Sequence, residues 1–281
     1  MIEENKPKII LSLNTKPLIS GRWGQGNKLE QTLKMTALSL LYAHLWYDDV
    51  ELYTDELGYN IFRDFPVKIT LLKKERIDEL WMYSKIEAME QQTTPFIHID
   101  TDVFLRKYVD FGDYDVIVER REVKEFYSHY KEQIYWFDKL MDGHKMWNPE
   151  LVFSLNCGTV GFNNLDIRDD FIKQYYVMEE KFIDNLESFQ YLRDKWYEPC
   201  IVMEQYNLTS VLDYNRINPK ILIDEYDSDK QRLLANKIGY VHLYGGSKYE
   251  QKNVNRINSL LDELFPYWDK NLDYKISKYI K

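Results

Sequence analysis

Asp-x-Asp pairs stand at Asp100-Thr101-Asp102, Asp113-Tyr114-Asp115 and Asp227-Ser228-Asp229. Two carboxylates at that spacing could hold a hard divalent cation. Mg2+ and Mn2+ take oxygen ligands and bridge carboxylates to phosphate oxygens, where the ion acts as a Lewis acid on a departing phosphate. An acidic turn capping the next segment would use the same residues, so the setting of each pair matters. The third pair lies in the polar stretch EYDSDKQR, which reads as a solvated loop. The second opens an apolar run and belongs to the N-terminal edge of a strand. Only the first follows an apolar run, Phe96-Ile97-His98-Ile99, at its carboxyl end, where open α/β sheets bind their ligands. His98 alternates with Asp100 and points to the same side of that strand; a hydrogen-bonded core histidine is the expectation there.

Other residues read two ways by type alone. His242, in Val241-His242-Leu243-Tyr244-Gly245-Gly246, is a structural histidine or a metal ligand, and the glycine pair is an ordinary turn or a close approach to a ligand. Lys85 falls at the margin of a helical apolar face, where a lysine can lay its stem along the surface. Cys157 and Cys200 suggest neither a disulfide framework nor a zinc site and are expected to be buried thiols. The chain has 23 Tyr and 7 Trp. A Tyr-rich core explains them, and so do flat faces stacked on sugar rings; composition does not separate the two.

These residues need elements to position them. Lys8–Thr15 reads as a buried strand, followed by the glycine-rich loop Gly21–Gly26 and a helix start at Asn27 with Glu30 three residues on. Leu33, Ala37, Leu40, Leu41 and Leu45 then repeat at helical spacing to about Tyr47. Strands are predicted over 49–55 and 67–72, a helix over 75–92, a strand over 96–105 running into a loop, and a strand over 116–119. A helical stretch over 122–141, a strand-like segment over 151–163, helices over 166–186 and 204–212, strands near 220–224 and 238–244, and a helix over 254–265 follow. The alternation implies an α/β fold with a Rossmann-like, mostly parallel central sheet flanked by helices. No Pro/Gly/Ser linker interrupts it, so one domain over 1–281 is expected, with a nucleotide half (1–120) and an acceptor half (121–281).

The ordered set of motifs resembles GT-A glycosyltransferases, and within them glycosyltransferase family 8, the retaining galactosyl- and glucosyltransferases that include glycogenin-like enzymes. The residues that carry the resemblance are Ser84-Lys85-Ile86, FIHIDTDVFL, Asn156-Cys157-Gly158, Glu204-Gln205 and His242-Leu243-Tyr244-Gly245-Gly246-Ser247-Lys248. It implies a GT-A fold and a hexosyltransferase acting on a nucleotide-sugar donor, commonly UDP-linked, with a glycan or lipid-linked acceptor, as in polysaccharide biosynthesis. The implied metal, Mn2+ or Mg2+, falls to Asp100, Asp102 and His242. Donor binding falls to Asn14, Thr15, Thr54, Asp55, Lys85, Thr101, Gly245 and Lys248. Gln205, Asn156 and Glu204 are the implied catalytic residues at the donor sugar, Gln205 below the anomeric carbon. Where the family continues H-x-x-G-x-x-K with Pro-Trp, this chain has Tyr249-Glu250, as a divergent relative would.

Two other classes compete. A phosphatase of the haloacid dehalogenase type would use Asp100 as nucleophile, and a non-catalytic nucleotide-sugar-binding module would bind without turnover. The balance of 37 basic and 46 acidic residues, net charge -9, argues against nucleic acid as a partner. No stretch reaches the roughly 20 apolar residues of a membrane span, so a cytoplasmic protein is expected. The last ten residues, LDYKISKYIK, read as a polar tail or as an anchor for peripheral contact with a membrane surface.

Overall fold

The computed structural model describes residues 6–20, 28–77, 80–123, 130–188 and 199–280. The glycine-rich loop and the helix start at Asn27 lie outside them. The chain forms two compact units, one of residues 1–91, 96–110 and 232–281, the other of residues 92–95 and 111–231. The division is therefore not a single cut near residue 120, because the C-terminal fifty residues return to the first unit.

The first unit opens with β1 (Lys8–Leu13), α1 (Lys16–Ile19) and α2 (Lys28–Trp46). It continues through β2 (Val50–Thr54), α3 (Glu56–Phe62), β3 (Lys68–Leu71), α4 (Tyr83–Glu90) and β4 (Phe96–Ile99). β1 pairs in parallel with β2 and β4, and β2 with β3, giving the order β3-β2-β1-β4. Parallel strands covered on both faces read as continuous apolar runs: Ile9, Ile10, Leu11, Phe96, Ile97 and Ile99 are all fully buried. The chain leaves β1 toward β2 and returns to its other side as β4. That reversal creates a switch point at the carboxyl ends of β1 and β4, the place where doubly wound sheets bind ligands.

Several elements differ from the sequence expectation. The predicted 96–105 strand is two, β4 and β5 (Val103–Leu105), separated by a turn at Asp100–Asp102 that Val103 closes by donating its N–H to the Asp100 carbonyl, 3.0 Å. The predicted 75–92 helix starts only at Tyr83. The N–H groups of Lys73 and Lys74 donate to the Glu87 carboxylate instead, which ties the preceding segment alongside α4 as a strap. Helix α3 was not expected. Its signal was Asp55, which caps it by accepting the Gly58 N–H at 3.0 Å. Gly58 has no room for a side chain, since a Cβ would meet Thr54 Oγ1 at 1.9 Å.

The second unit contains β6 (Val116–Glu122), α5 (Lys131–Leu140), β7 (Ser154–Phe162) and α6 (Leu165–Asp184). β6 runs further than predicted and takes Glu122 out of the expected helix, pairing it with Ser154 in an antiparallel ladder that carries a register shift between Val118 and Arg120. All nine residues of β7 are buried. Phe171, Tyr175, Met178 and Phe182 form the buried stripe of α6 at helical spacing. Next come α7 (Pro199–Ile201), a π-helical segment Val202–Tyr206, and α8 (Asn207–Asn215). β8 (Lys220–Ile221) joins β6 in parallel.

Helix α9 (Ser228–Ile238) carries the chain back to the first unit. It replaces the expected solvated loop because Asp227 Oδ1 accepts the N–H groups of Asp229 and Lys230, capping a helix start. β9 (Tyr240–His242) pairs antiparallel with β5. α10 (Gln251–Leu264) and α11 (Pro266–Tyr279) end the fold. The C-terminal segment is thus not a loose tail. It is a helix packed on α2, α3 and α10, with Leu272, Lys275 and Ile276 buried and Lys275 paired with Asp64. Among the described residues no helix is long and apolar enough to cross a membrane.

Candidate active site

The turn after β4 presents Asp100 and Asp102, and the β5–β9 pairing brings His242 beside them. Val103 lies opposite His242, and Leu243 donates its N–H to the Asp102 carbonyl at 3.1 Å. Ligand atoms of Asp100, Asp102 and His242 all fall within 4.8 Å of one another. A residue 140 positions downstream of Asp102 is thereby fixed beside it by one short ladder of backbone hydrogen bonds.

Each carboxylate also meets a lysine. Lys85, on α4 and almost fully buried, donates to Asp100 Oδ1 at 2.8 Å, and Lys248 donates to Asp102 Oδ2 at 2.7 Å. His242 Nε2 lies 3.4 Å from Asp102 Oδ1. Burial alone would raise the Asp102 carboxyl, but the Lys248 and His242 charges outweigh it and hold the group well below the usual carboxylate range. For Asp100 the balance goes the other way. Burial outweighs Lys85 and lifts the carboxyl above its ordinary value. The Lys248 ammonium, penalised by burial, is stabilised more strongly by Asp102 and titrates above its ordinary range. His98 is the core histidine expected. It is fully buried, its Nε2 is 3.0 Å from Ser12 Oγ on β1, and burial followed by the Lys85 charge keeps it neutral.

His242 and Lys248 flank a short 3-10 turn, Gly245–Tyr249. Gly245 adopts φ +50, a conformation that favours glycine, and a Cβ there would meet nothing within 4 Å. The backbone at this glycine is open. Thr101 sits at the crest of the Asp100–Asp102 turn, half-buried.

At the carboxyl end of β1, Asn14 Oδ1 accepts the Lys16 N–H at 3.2 Å. Thr15 donates both its N–H and its hydroxyl to Asp55 Oδ2, at 2.6 and 2.8 Å. Asp55 therefore ties the ends of β1 and β2 together while capping α3, and Thr54 is buried beneath it. The four residues expected at the nucleoside do gather at one sheet end.

The second unit holds its own polar cluster. Asn156 on β7 donates from Nδ2 to Glu122 Oε1 at 2.7 Å and accepts the Gly158 N–H on Oδ1 at 2.9 Å. Gln205 and Glu204 lie in the π-helical segment, a local widening of the helix that often accompanies functional positions. Glu204 is buried, and Gln205 Oε1 is 2.6 Å from the Tyr130 hydroxyl. Glu122 and Tyr130 had no sequence signal of their own; both fell in a stretch that reads as an aromatic, charged helix. Cys157 and Cys200 are buried thiols, as expected.

Known structures share this fold. The galactosyltransferase LgtC, determined in complex with donor and acceptor sugar analogs, is 13% identical, and the match covers 94% of this chain and 99% of that one with a TM-score of 0.50. The bifunctional glycosyltransferase WbbM in its apo form is 10% identical over 98% of this chain, with a TM-score of 0.51; this chain spans 52% of its length. The fold is the GT-A glycosyltransferase fold that the motifs imply, mixed α/β with mostly parallel strand pairing. No curated protein matches the sequence. A family model matches residues 24–273, and the chain accordingly belongs to that family, described as a family of unknown function, DUF6734.

Proposed function

We propose that the protein is a metal-dependent hexosyltransferase that moves a sugar from a nucleotide diphosphate donor, UDP-linked in our reading, to a hydroxyl of a glycan or lipid-linked acceptor with retention of configuration. The observation that carries the proposal is the convergence of Asp100, Asp102 and His242, with two lysines, at one end of the sheet in the first unit. Two carboxylates and an imidazole with ligand atoms within 4.8 Å suit Mn2+ or Mg2+. When bound, such an ion supplies Lewis-acid stabilisation of the leaving diphosphate. The chain's own residues supply the rest. Asp102, held ionised chiefly by Lys248, offers a carboxylate ready to accept. Lys85 and Lys248 bring positive charge to where a diphosphate accumulates negative charge, and the open backbone at Gly245 lets a phosphate approach.

The carboxyl ends of β1 and β2, with Asn14, Thr15, Thr54 and Asp55, are assigned to the nucleoside, and Thr101 to the donor at the turn crest. By the family resemblance Asn156, Glu204 and Gln205 are assigned to the transferred sugar, with Gln205 stabilising positive charge at the anomeric carbon; an amide is a poor nucleophile. Polysaccharide assembly in the cytoplasm is the setting this chemistry suits.

The test is release of UDP from a panel of UDP-hexoses with Mn2+ present. Wild-type protein is expected to turn over at least one donor, and Asp102→Asn to lose about 100-fold or more of that rate while keeping its circular-dichroism spectrum. Equal rates in the two proteins would remove Asp102 from the chemistry. Phosphatase activity that Asp100→Asn abolishes, with no donor turnover, would move the protein to the hydrolase class.

A further inference from the structure

We propose that Glu122 is a positioning residue. Through Tyr130 and Asn156 it fixes which atoms of the Gln205 and Asn156 side-chain amides are presented to the transferred sugar. The proposal rests on the assignment of those two amides to the sugar.

Glu122 is a nearly buried carboxylate at the end of β6, and both of its oxygens are engaged within the second unit. Oε1 accepts from Asn156 Nδ2 at 2.7 Å and from the Arg120 guanidinium at 3.2 Å; Oε2 accepts from the Tyr130 hydroxyl. Asn156 is held at both ends, because its Oδ1 takes the Gly158 N–H. Its amide therefore has one orientation, set by one donor and one acceptor of the protein.

Gln205 is fixed less directly, by the number of protons available. The Tyr130 hydroxyl carries one proton and faces the Glu122 carboxylate and the Gln205 amide, the latter at 2.6 Å, with the Ser154 side chain also beside it. An ionised carboxylate beside a guanidinium can only accept, and charge-assisted bonds are the stronger ones, so the proton goes to Glu122. Burial first, and then the Glu122 charge, raise the Tyr130 phenol well above its ordinary range, so it keeps that proton to donate. Toward Gln205 the hydroxyl is then an acceptor, and a carbonyl oxygen facing it would make a contact with no proton in it. Half a turn of the amide about its terminal bond replaces that contact with Nε2–H donating to Tyr130. Amide oxygen and nitrogen are assigned from such networks. The consequence is chemical: the Gln205 carbonyl oxygen is turned away from the network, where its partial negative charge can face an electron-poor carbon. Loss of the Glu122 carboxylate frees the Tyr130 proton to pull that oxygen back.

The experiment uses the full chain with Tyr130→Phe and Glu122→Gln. Side-chain amide signals of Gln205 and Asn156 are followed by 15N NMR without nucleotide, assigned by their disappearance in Gln205→Glu and Asn156→Asp. Tyr130→Phe is expected to shift the Gln205 pair and leave the Asn156 pair in place, while Glu122→Gln shifts both. With Mn2+ present, both variants are expected to bind UDP within about twofold of wild type, yet to lose roughly 10- to 100-fold in kcat for UDP-hexose hydrolysis, with KM little changed, as for a mispositioned group. Unmoved Gln205 amide signals in Tyr130→Phe, or a kcat within twofold of wild type in both variants, would overturn the proposal. Failure of the wild-type protein to bind UDP would refute the donor reading instead. The amide signals are read without nucleotide and still decide whether Glu122 and Tyr130 orient Gln205.

Discussion

Glu51 shows how this chain keeps a charge inside. Its side chain is fully buried in β2, and it accepts from Lys8 Nζ at 2.6 Å, Lys68 Nζ at 2.8 Å and Thr70 Oγ1 at 2.5 Å, bridging the starts of three parallel strands. Burial pushes its carboxyl up, but Lys68, Lys8 and Thr70 together outweigh that and leave it below the ordinary glutamate value. A carboxyl lowered in the folded state stabilises the fold at any pH above the unfolded value, about 4.3, and that contribution is lost as pH falls through the folded value. In urea denaturation Glu51→Gln is therefore expected to be less stable than wild type at pH 7, with the gap narrowing toward pH 3. A gap of equal size at both pH values would contradict the charge-based account. At this same scale the ordered motifs, through the family resemblance, named Asp100, Asp102 and His242 together, and the β5–β9 pairing brings their ligand atoms within 4.8 Å of one another. Glu122 and Tyr130 were illegible, since a glutamate and a tyrosine acquire their roles only from partners more than thirty and seventy residues away.

At the scale of elements, helix α11 carries the clearest expectation. Leu272 is fully buried where α11 meets α2, α3 and α10. Leu272→Ala should cost about 2–5 kcal/mol, read as a drop in the urea midpoint with the slope unchanged. A loss below about 0.5 kcal/mol would show that the helix contributes no core. The segment read as a tail because its lysines and tyrosines alternate with its few apolar residues. Only the three-dimensional neighbours reveal that Leu272 and Ile276 share an inward stripe while Tyr267 and Tyr274 face solvent. Helices α3 and α9 escaped detection for a related reason. Each begins with an aspartate cap, Asp55 or Asp227, and too few apolar residues follow to show a period; no residue of α9 is buried. The long apolar elements β1, α2 and α6 were read to within about two residues at their described ends, since their buried stripes are dictated by the core. The 75–92 helix begins only at Tyr83, and the segment just before it is held instead by Glu87 of α4, which accepts the backbone N–H groups of Lys73 and Lys74.

For the whole molecule, the donor-site residues expected of the first unit come from stretches as far apart as Asn14 and Lys248, and all of them fall in that one compact unit. The excess of nine acidic charges bears on the same site. A polyanionic donor has to approach against that net charge, so local cations such as Lys85 and Lys248, and a divalent ion, carry the attraction. The most direct measurement is calorimetric titration of UDP into the full chain with Mn2+, with EDTA in its place, and into Asp102→Asn with Mn2+. Binding to wild type that requires the metal and is weakened at least tenfold in Asp102→Asn is the expected result. UDP binding of equal strength in EDTA or in the variant, or no binding to wild type at all, would contradict the assignment of Asp100, Asp102 and His242 to a metal-held nucleotide diphosphate.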